Sequence, residues 1–481
     1  MSAISELEPK DFFGFFEELS HIPRPSGEEE KVSGWLAGFA RDNGLEHYVD
    51  ELGNVIIIRE ADPGREDSEP VILQGHMDMV CEKDPDCPKD MHVDGIDTEL
   101  EGDLVTARGT TLGADDGVFI CYALSFLSRK KASFPRLECV FTVSEETGMY
   151  GAERVDLSVL KGRRLINLDS EEEGVVITGC AGGANVELSL PVIRNEEISE
   201  GWTVVDITLS GLLGGHSGSD IDKNRENAVV VMDELLREIS KQVDIRLMRM
   251  QGGGKSNAIP RECRVKAAVR REDADRLTES LKDAASGIKE RYGENEKDME
   301  FSFALSEPAE GFACDRVSTG KCLELIGKLP SGLQKMGPEI PETSLNLGIC
   351  DLEVDTLKLT YSLRSQKRQG LDDLKEKMVF VAGSFGAGAD ITEKYSPWEP
   401  VASSDLQELL RETYRESTGK ELRFTEIHAG LECGILSEKF PGLDAVSIGP
   451  DLWDVHTTRE RMSVSSVRRV YGFLETFLEK C

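Results

Sequence analysis

Several short apolar runs in this chain end abruptly in an acid or a histidine, and no other feature constrains the fold as much. Val71-Ile72-Leu73-Gln74-Gly75 runs into His76-Met77-Asp78, Phe141-Thr142-Val143-Ser144 into Glu145-Glu146, and Leu165-Ile166-Asn167-Leu168 into Asp169. Short apolar, β-branched runs read as buried strands. Charge gathered where such strands stop points to an open α/β sheet, whose ligand crevice lies outside the carboxyl ends of its strands. Two further stretches belong with them. Thr111–Asp116 is a glycine-containing turn carrying Asp115 and Asp116 ahead of an apolar helix over 117–128, and Asp454-Val455-His456 follows a strand over 445–449. Alone, each has a bland explanation, since an acid caps a helix and a strand-end histidine bonds locally. Capping does not account for all of them together.

The order of elements suggests how the chain is divided. Residues 10–20 form a helix with a phenylalanine stripe, and Ser26 with Glu29 reads as a capping box opening a second helix to about Asp42. Strands over 54–59, 71–75, 137–143 and 164–168 alternate with helices, which predicts a sheet at least partly parallel with helices on both faces. Near Gly182–Ala184 the pattern changes. Residues 202–305 read as β-α-β-β-α-β, and a weaker echo of that order runs from Arg316 to Tyr395. The tail from about 397 returns to the first style. The expectation is an α/β catalytic domain formed by 1–184 and 397–481, interrupted by an inserted α+β domain, 185–396, built of two similar halves.

Composition narrows the function. Asp plus Glu number 90 against 56 Lys plus Arg, a formal net charge of -34. Such a chain is repelled by nucleic acid and by anionic membranes, whereas cations are welcome. No apolar run approaches the roughly 20 residues of a membrane span, and the start shows no signal peptide. None of the 11 cysteines sits in a C-x-x-C pair, which argues against a disulfide framework and for a reducing cytoplasm. Gly252-Gly253-Gly254-Lys255 does not meet the spacing of a phosphate loop, so nucleotide binding is set aside.

The strand-end groups suit hard or borderline divalent cations. Strand period is two, so His76 and Asp78 project to the same side, and a carboxylate beside an imidazole fixes its tautomer. Adjacent carboxylates at 145 and 146 repel, so one is neutralised by a proton or a cation. Two imidazoles and three carboxylates serve two ions if one carboxylate bridges, leaving an open position on each. A spare carboxylate there can move a proton from water to a leaving amine.

These residues, in this order, resemble the co-catalytic metallopeptidase family of aminoacylases, glutamate carboxypeptidases, peptidase T and carnosinases, and within it the bacterial Xaa-His dipeptidase branch. The likeness spans essentially the whole chain. It is carried by Gln74-Gly75-His76-Met77-Asp78-Met79-Val80-Cys81, Leu112-Gly113-Ala114-Asp115, Ser144-Glu145-Glu146-Thr147-Gly148, Gly214-Gly215-His216-Ser217-Gly218 and His428-Ala429-Gly430-Leu431-Glu432-Cys433-Gly434. The resemblance implies that Asp115 bridges two metal ions, that His76 and Asp169 complete one site, and that Glu146 and His456 complete the other. It implies that Asp78 orients His76, that Glu145 is the general base, and that the Asp115–Asp116 peptide is cis. An asparagine often stands at 116 in this branch, so Asp116 adds a charge beside the cations.

The inserted domain is expected to be the family's lid. His216 would steady the substrate carbonyl. Arg364, in Tyr361-Ser362-Leu363-Arg364-Ser365, would grip a terminal carboxylate, since guanidinium pairs bidentately. Asn257 is a further substrate contact. The function expected is dipeptide hydrolysis, Xaa-His-like or broader, with two divalent ions, zinc first and cobalt or manganese as alternatives. The expected partners are a small peptide substrate and, by kinship, a second copy in a homodimer. N-acyl amino acid deacylation or tripeptide cleavage on the same site is the alternative activity, and a metal-binding scaffold is the non-enzyme alternative.

Overall fold

The computed structural model describes residues 4–130, 132–308, 311–401 and 403–481. The chain forms two compact units. The first comprises the chain up to Cys180 with Trp398–Glu426 and Leu431–Cys481; the second comprises Ala181–Pro397 and Ile427–Gly430.

In the first unit, the strands Val55–Arg59, Val71–His76 and Leu137–Thr142 are buried at every position. Continuous apolar runs of this kind fit a sheet covered on both faces. The sheet has eight strands, in the spatial order Glu46–Val49, Val55–Arg59, Leu137–Thr142, Val71–His76, Arg164–Asn167, Asp444–Ser447, Val175–Cys180, Arg423–Ile427. The four strands from Leu137–Thr142 to Asp444–Ser447 run parallel, while Val55–Arg59 pairs antiparallel with both its neighbours. The mixed sheet expected from the sequence is therefore present.

Helix Ala114–Leu127 packs on Val71–His76 and is apolar almost all round, as a fully buried helix must be. Helix Lys10–Ser20 lies against it through the phenylalanine stripe, and the Phe12 and Tyr122 rings stand 4.7 Å apart. Both rings are fully buried, each worth about 1.5–3 kcal/mol. Gly75 permits the close approach of strand and helix, because a Cβ there would overlap Asp116 Oδ2 and the Phe119 ring. A separate four-stranded antiparallel sheet pairs Arg461–Ser463 with Leu104–Ala107. It anchors the tail beside the turn that carries Asp115.

One local expectation fails. Helix Glu30–Asp42 starts later than the capping box implied. The Ser26 hydroxyl donates to Asp78 Oδ2 instead, and Glu29 Oε1 accepts from Gly27 and Ser144 N–H groups. The right residue types stood at the right spacing, but better partners lay elsewhere in the fold.

The second unit holds a pattern used twice. Its first half is the strand Trp202–Ser210, helix Ala228–Ser240, strands Arg246–Gly253 and Cys263–Arg270, helix Ala274–Tyr292 and strand Glu300–Ser306. The other half is Gly182–Pro191, helix Arg316–Lys328, Pro341–Leu352, Thr356–Ser365, helix Arg368–Phe385 and Gly388–Tyr395. In space each half orders its strands fourth, first, third, second. The halves meet where the second strands pair antiparallel, Gln251 opposite Asp351 and Gly253 opposite Ile349. The first half thus interrupts the first connection of the second half, which is why the sequence echo is weak. A common hydrophobic core runs under both.

Candidate metal centre

In the first unit, Leu137–Thr142, Val71–His76 and Arg164–Asn167 are adjacent and parallel, so their carboxyl ends deliver Glu145, Glu146, His76 and Asp169 to one edge of the sheet. Asp115 enters from the first turn of helix Ala114–Leu127, where its backbone is non-helical, and its peptide bond to Asp116 is cis. His456 comes from the tail. Its backbone and that of Ser144, which precedes Glu145, are left-handed, with φ of 61° and 53°. Non-glycine residues adopt that conformation at a cost of about 1–3 kcal/mol, a strain concentrated at functional sites.

The groups converge on Asp115. His76 Nε2 lies 3.0 Å from Asp115 Oδ1 and 3.5 Å from Asp169 Oδ1. His456 Nε2 lies 3.1 Å from Asp115 Oδ2 and 2.9 Å from Glu146 Oε1. The two oxygens of one carboxylate face two different imidazoles. Ligand atoms of Asp115, Glu146 and His456 lie within 4.8 Å of one another, as do those of His76, Glu145 and Glu146 and those of His76, Asp116 and Asp169. The last group brings in Asp116, which sequence reasoning treated only as an added charge.

A supporting layer holds these groups in place. The His76 Nδ1 proton faces the Asp78 backbone carbonyl at 3.1 Å, with the Asp78 carboxylate at 3.5 Å. That carboxylate also accepts from the backbone N–H groups of Glu145 and Glu146, so Asp78 positions the two acids as well as the imidazole. Arg24, fully buried, donates to the carbonyls of Met77, Asp78 and Gly113 and joins the His76 loop to the Asp115 turn. Glu460 grips the same turn. Its two oxygens accept from four consecutive N–H groups, those of Leu112, Gly113, Ala114 and Asp115, at 2.7, 2.9, 2.7 and 3.3 Å. Proline on either side of Arg24 hints at a fixed residue; nothing in the sequence marks Glu460, because acids are everywhere in this chain.

The electrostatics are those of an acid-rich site. Burial opposes charge on His76, yet Asp169, Asp115 and Asp78 hold its pKa well above the usual imidazole value. Hydrogen bonds to Asp115 and Glu146 push His456 up to about 11. Burial disfavours the Asp115 anion, but the two imidazoles outweigh it and hold that carboxyl far below its ordinary range. Burial and neighbouring acids push Asp169 up to about 7 and Glu145 and Asp116 well above normal. Several carboxylates that resist joint ionisation, with two imidazoles among them, form a donor set that cations would neutralise. Buried oxygens of Asp116 and Glu432 also lack a hydrogen-bond donor. Orphaned buried acceptors are costly, and all of them fit a site built for divalent cations.

The second unit holds the remaining sequence-predicted residues. Gly215–His216 pairs with Ala258–Ile259 as a short ribbon, which places His216 beside Asn257. His216 Nδ1 accepts from the N–H groups of Gly218 and Ser219, leaving its proton on Nε2. Arg364 is buried; its Nη1 donates to Tyr395 Oη at 2.8 Å, and its Nε has no partner. Among the described residues no carboxylate pairs with it. Nearby His428, which sequence reasoning noted only as part of a motif, bonds Ser344 Oγ through Nε2 at 2.7 Å. Burial and the charge of Arg364 lower its pKa to about 4.

Comparisons with known proteins set the chain among peptidases. The family description "Peptidase dimerisation domain" matches residues 207–296. The chain is 33% identical to the cytosol non-specific dipeptidase of Escherichia coli, covering all of this chain and 99% of that protein. It superposes with a TM-score of 0.88 and 33% identity on the aminoacylhistidine dipeptidase of Vibrio alginolyticus, covering all of this chain and 98% of that one. Aminopeptidase PepT of Bacillus cereus shares the fold at a TM-score of 0.57 and 15% identity, over 98% of this chain and 99% of that one.

Proposed function

This chain belongs to the M20 family of metallopeptidases, and from that premise we propose that it is a metal-dependent dipeptidase. The observation that carries the reading is the Asp115 carboxylate, each oxygen of which faces a different imidazole nitrogen. We assign His76, Asp115 and Asp169 to one divalent ion and Asp115, Glu146 and His456 to the other. Two divalent cations held there would supply Lewis acidity toward a peptide carbonyl and a water molecule. Zinc suits this nitrogen and carboxylate set, with cobalt or manganese as replacements.

Glu145 is the general base in this reading. Its carboxylate takes a proton from the attacking water and returns it to the leaving amine nitrogen. Burial raises the pKa of Glu145 above the ordinary carboxylate range, which strengthens it as a proton acceptor and supports that task. Asp78 holds the backbone of Glu145 and fixes the His76 tautomer. From the second unit, the His216 Nε2 proton is assigned to the substrate's carbonyl oxygen as negative charge develops there. Arg364 is assigned to the peptide's terminal carboxylate and Asn257 to its backbone. A buried guanidinium without a carboxylate partner supports the role given to Arg364.

A dimerisation domain and a cytosolic relative support a homodimer and a cytoplasmic location as further proposals. Among the described residues, no helix is long and apolar enough to cross a membrane. The test is a panel of dipeptides, Xaa-His dipeptides, tripeptides and N-acyl amino acids, assayed with zinc, cobalt and manganese. Dipeptides should be the best substrates. Glu145→Ala should keep its metal and lose about 100- to 10,000-fold in turnover, whereas His76→Ala and Asp169→Ala should lose metal. Full activity in Glu145→Ala, or preference for N-acyl substrates, would overturn the reading.

A further inference from the structure

Beneath the strand ends runs a buried polar chain with no part in the proposed reaction. Glu432 opens helix Glu432–Lys439 and is fully buried. Its Oε2 accepts hydrogen bonds from Thr142 Oγ1 at 2.7 Å and from Gln74 Nε2 at 2.5 Å. Gln74 Oε1 accepts in turn from Asn167 Nδ2 at 2.9 Å. Thr142, Gln74 and Asn167 stand on three adjacent parallel strands. Each comes just before a group of the site: Thr142 before Glu145 and Glu146, Gln74 before His76, and Asn167 before Asp169.

A carboxylate is an expensive choice for this position. A buried polar residue is seldom better for stability than an apolar one of the same volume, and Glu432 Oε1 has no donor at all. Burial above all, with the nearby charge of Asp169, disfavours its ionisation and pushes its pKa up to about 7. Packing alone would have been served by a leucine or methionine. What a leucine could not do is bond Thr142 and Gln74 at once, or set a carboxylate behind a cation site.

We infer that Glu432 is a positioning residue, which ties the three strand ends in register and places a carboxylate behind the cation site. This rests on the metal centre proposed above. Groups in such outer positions typically change metal affinity or activity by 10- to 100-fold when removed.

The test is calorimetric titration of zinc into the full-length, metal-stripped protein, with thermal unfolding of the same metal-free samples. Glu432→Gln keeps the shape and removes the carboxylate. It should weaken zinc binding at least about tenfold while the metal-free unfolding temperature stays within a few degrees of wild type. A purely structural role predicts the reverse, a lowered unfolding temperature with wild-type zinc affinity, and that result would overturn the inference. Thr142→Val removes one donor without changing shape and provides a second arm should Glu432→Gln fold poorly. It should weaken zinc severalfold, and unchanged affinity there also counts against the inference. His76→Ala separates the two levels. If that variant binds zinc like wild type, the metal centre itself is wrongly placed; if it loses zinc while Glu432→Gln and Thr142→Val do not, only the role of Glu432 falls.

Discussion

Replacing Glu460 by glutamine changes one oxygen to an amide, yet it should unsettle the candidate site more than most substitutions of its ligands unsettle the fold. Each Glu460 oxygen accepts from two N–H groups of the 112–115 turn. In the amide, one oxygen can still accept its pair, while the NH2 group faces the other two N–H groups donor to donor. Hydrogen bonds to a charged acceptor contribute about 1.5–3 kcal/mol each. Losing two therefore costs about 3–6 kcal/mol, close to the range for breaking a buried ionic contact. Unfolding entropy of about 2.1 cal/mol/K per residue, over the roughly 260 residues of the first unit, gives about 0.5 kcal/mol/K. The unfolding temperature of that unit in the metal-free protein should then fall by about 6–11 °C. Because the turn carries Asp115, zinc affinity should fall with it. Differential scanning calorimetry of metal-stripped Glu460→Gln measures the first effect and a zinc titration the second. A shift under about 2 °C with wild-type zinc affinity would refute the view that the four N–H groups depend on this carboxylate.

Metal binding should release protons. His76 and His456 hold raised pKa values in the metal-free protein and must be neutral to ligate. Zinc affinity should therefore rise with pH between 6 and 8, and calorimetry in buffers of different ionisation enthalpy should count up to about two protons released. In the second unit, burial pushes Asp233 up to about 7, with the Arg237 contact opposing it. A folded pKa above the unfolded value of about 3.9 means stability present at low pH and lost as pH rises through 7, at up to 1.4 kcal/mol per unit. Asp233→Asn should accordingly raise the unfolding temperature at pH 8 and leave it nearly unchanged at pH 4, as thermal melts at the two pH values will check. Arg364→Ala should raise the dipeptide KM by about tenfold or more through loss of a charge-assisted pair. Steady-state kinetics with a dipeptide and its C-terminal amide will test this, since the amide should be nearly indifferent to the substitution.

How much was legible in the sequence depended on whether a residue's partner could be read from its neighbours. Strand ends at His76, Glu145 and Asp169 were visible because an apolar run followed by an acid is a local signal, and parallel pairing brings those ends together. The eight-strand order was not visible, since pairing of Asp444–Ser447 with Arg164–Asn167 joins segments hundreds of residues apart. Arg24 and Glu460 escaped notice, and Glu432 was noted only within a motif, for a related reason. Their chemistry lies in burial and in distant backbone or side-chain partners, and in so acidic a chain another glutamate says nothing by itself. Ser26 and Glu29 show the converse. Their spacing fitted a helix cap, yet Asp78 and Ser144 offered partners that no local pattern could disclose.

The repeated strand order of the second unit bears on assembly. Arg246–Gly253 is hydrogen-bonded to Cys263–Arg270 along one flank, and its end, Gln251–Gly253, pairs with Ile349–Asp351 on the other. The end of this strand, inside the stretch matched to a dimerisation domain, is therefore already paired within its own polypeptide. Two identical subunits change together with every mutation, whereas two halves joined in one gene can drift apart. Here one half carries the long loops that display His216 and Asn257, while the matching hairpin of its sibling turns within three residues, Glu353 to Asp355.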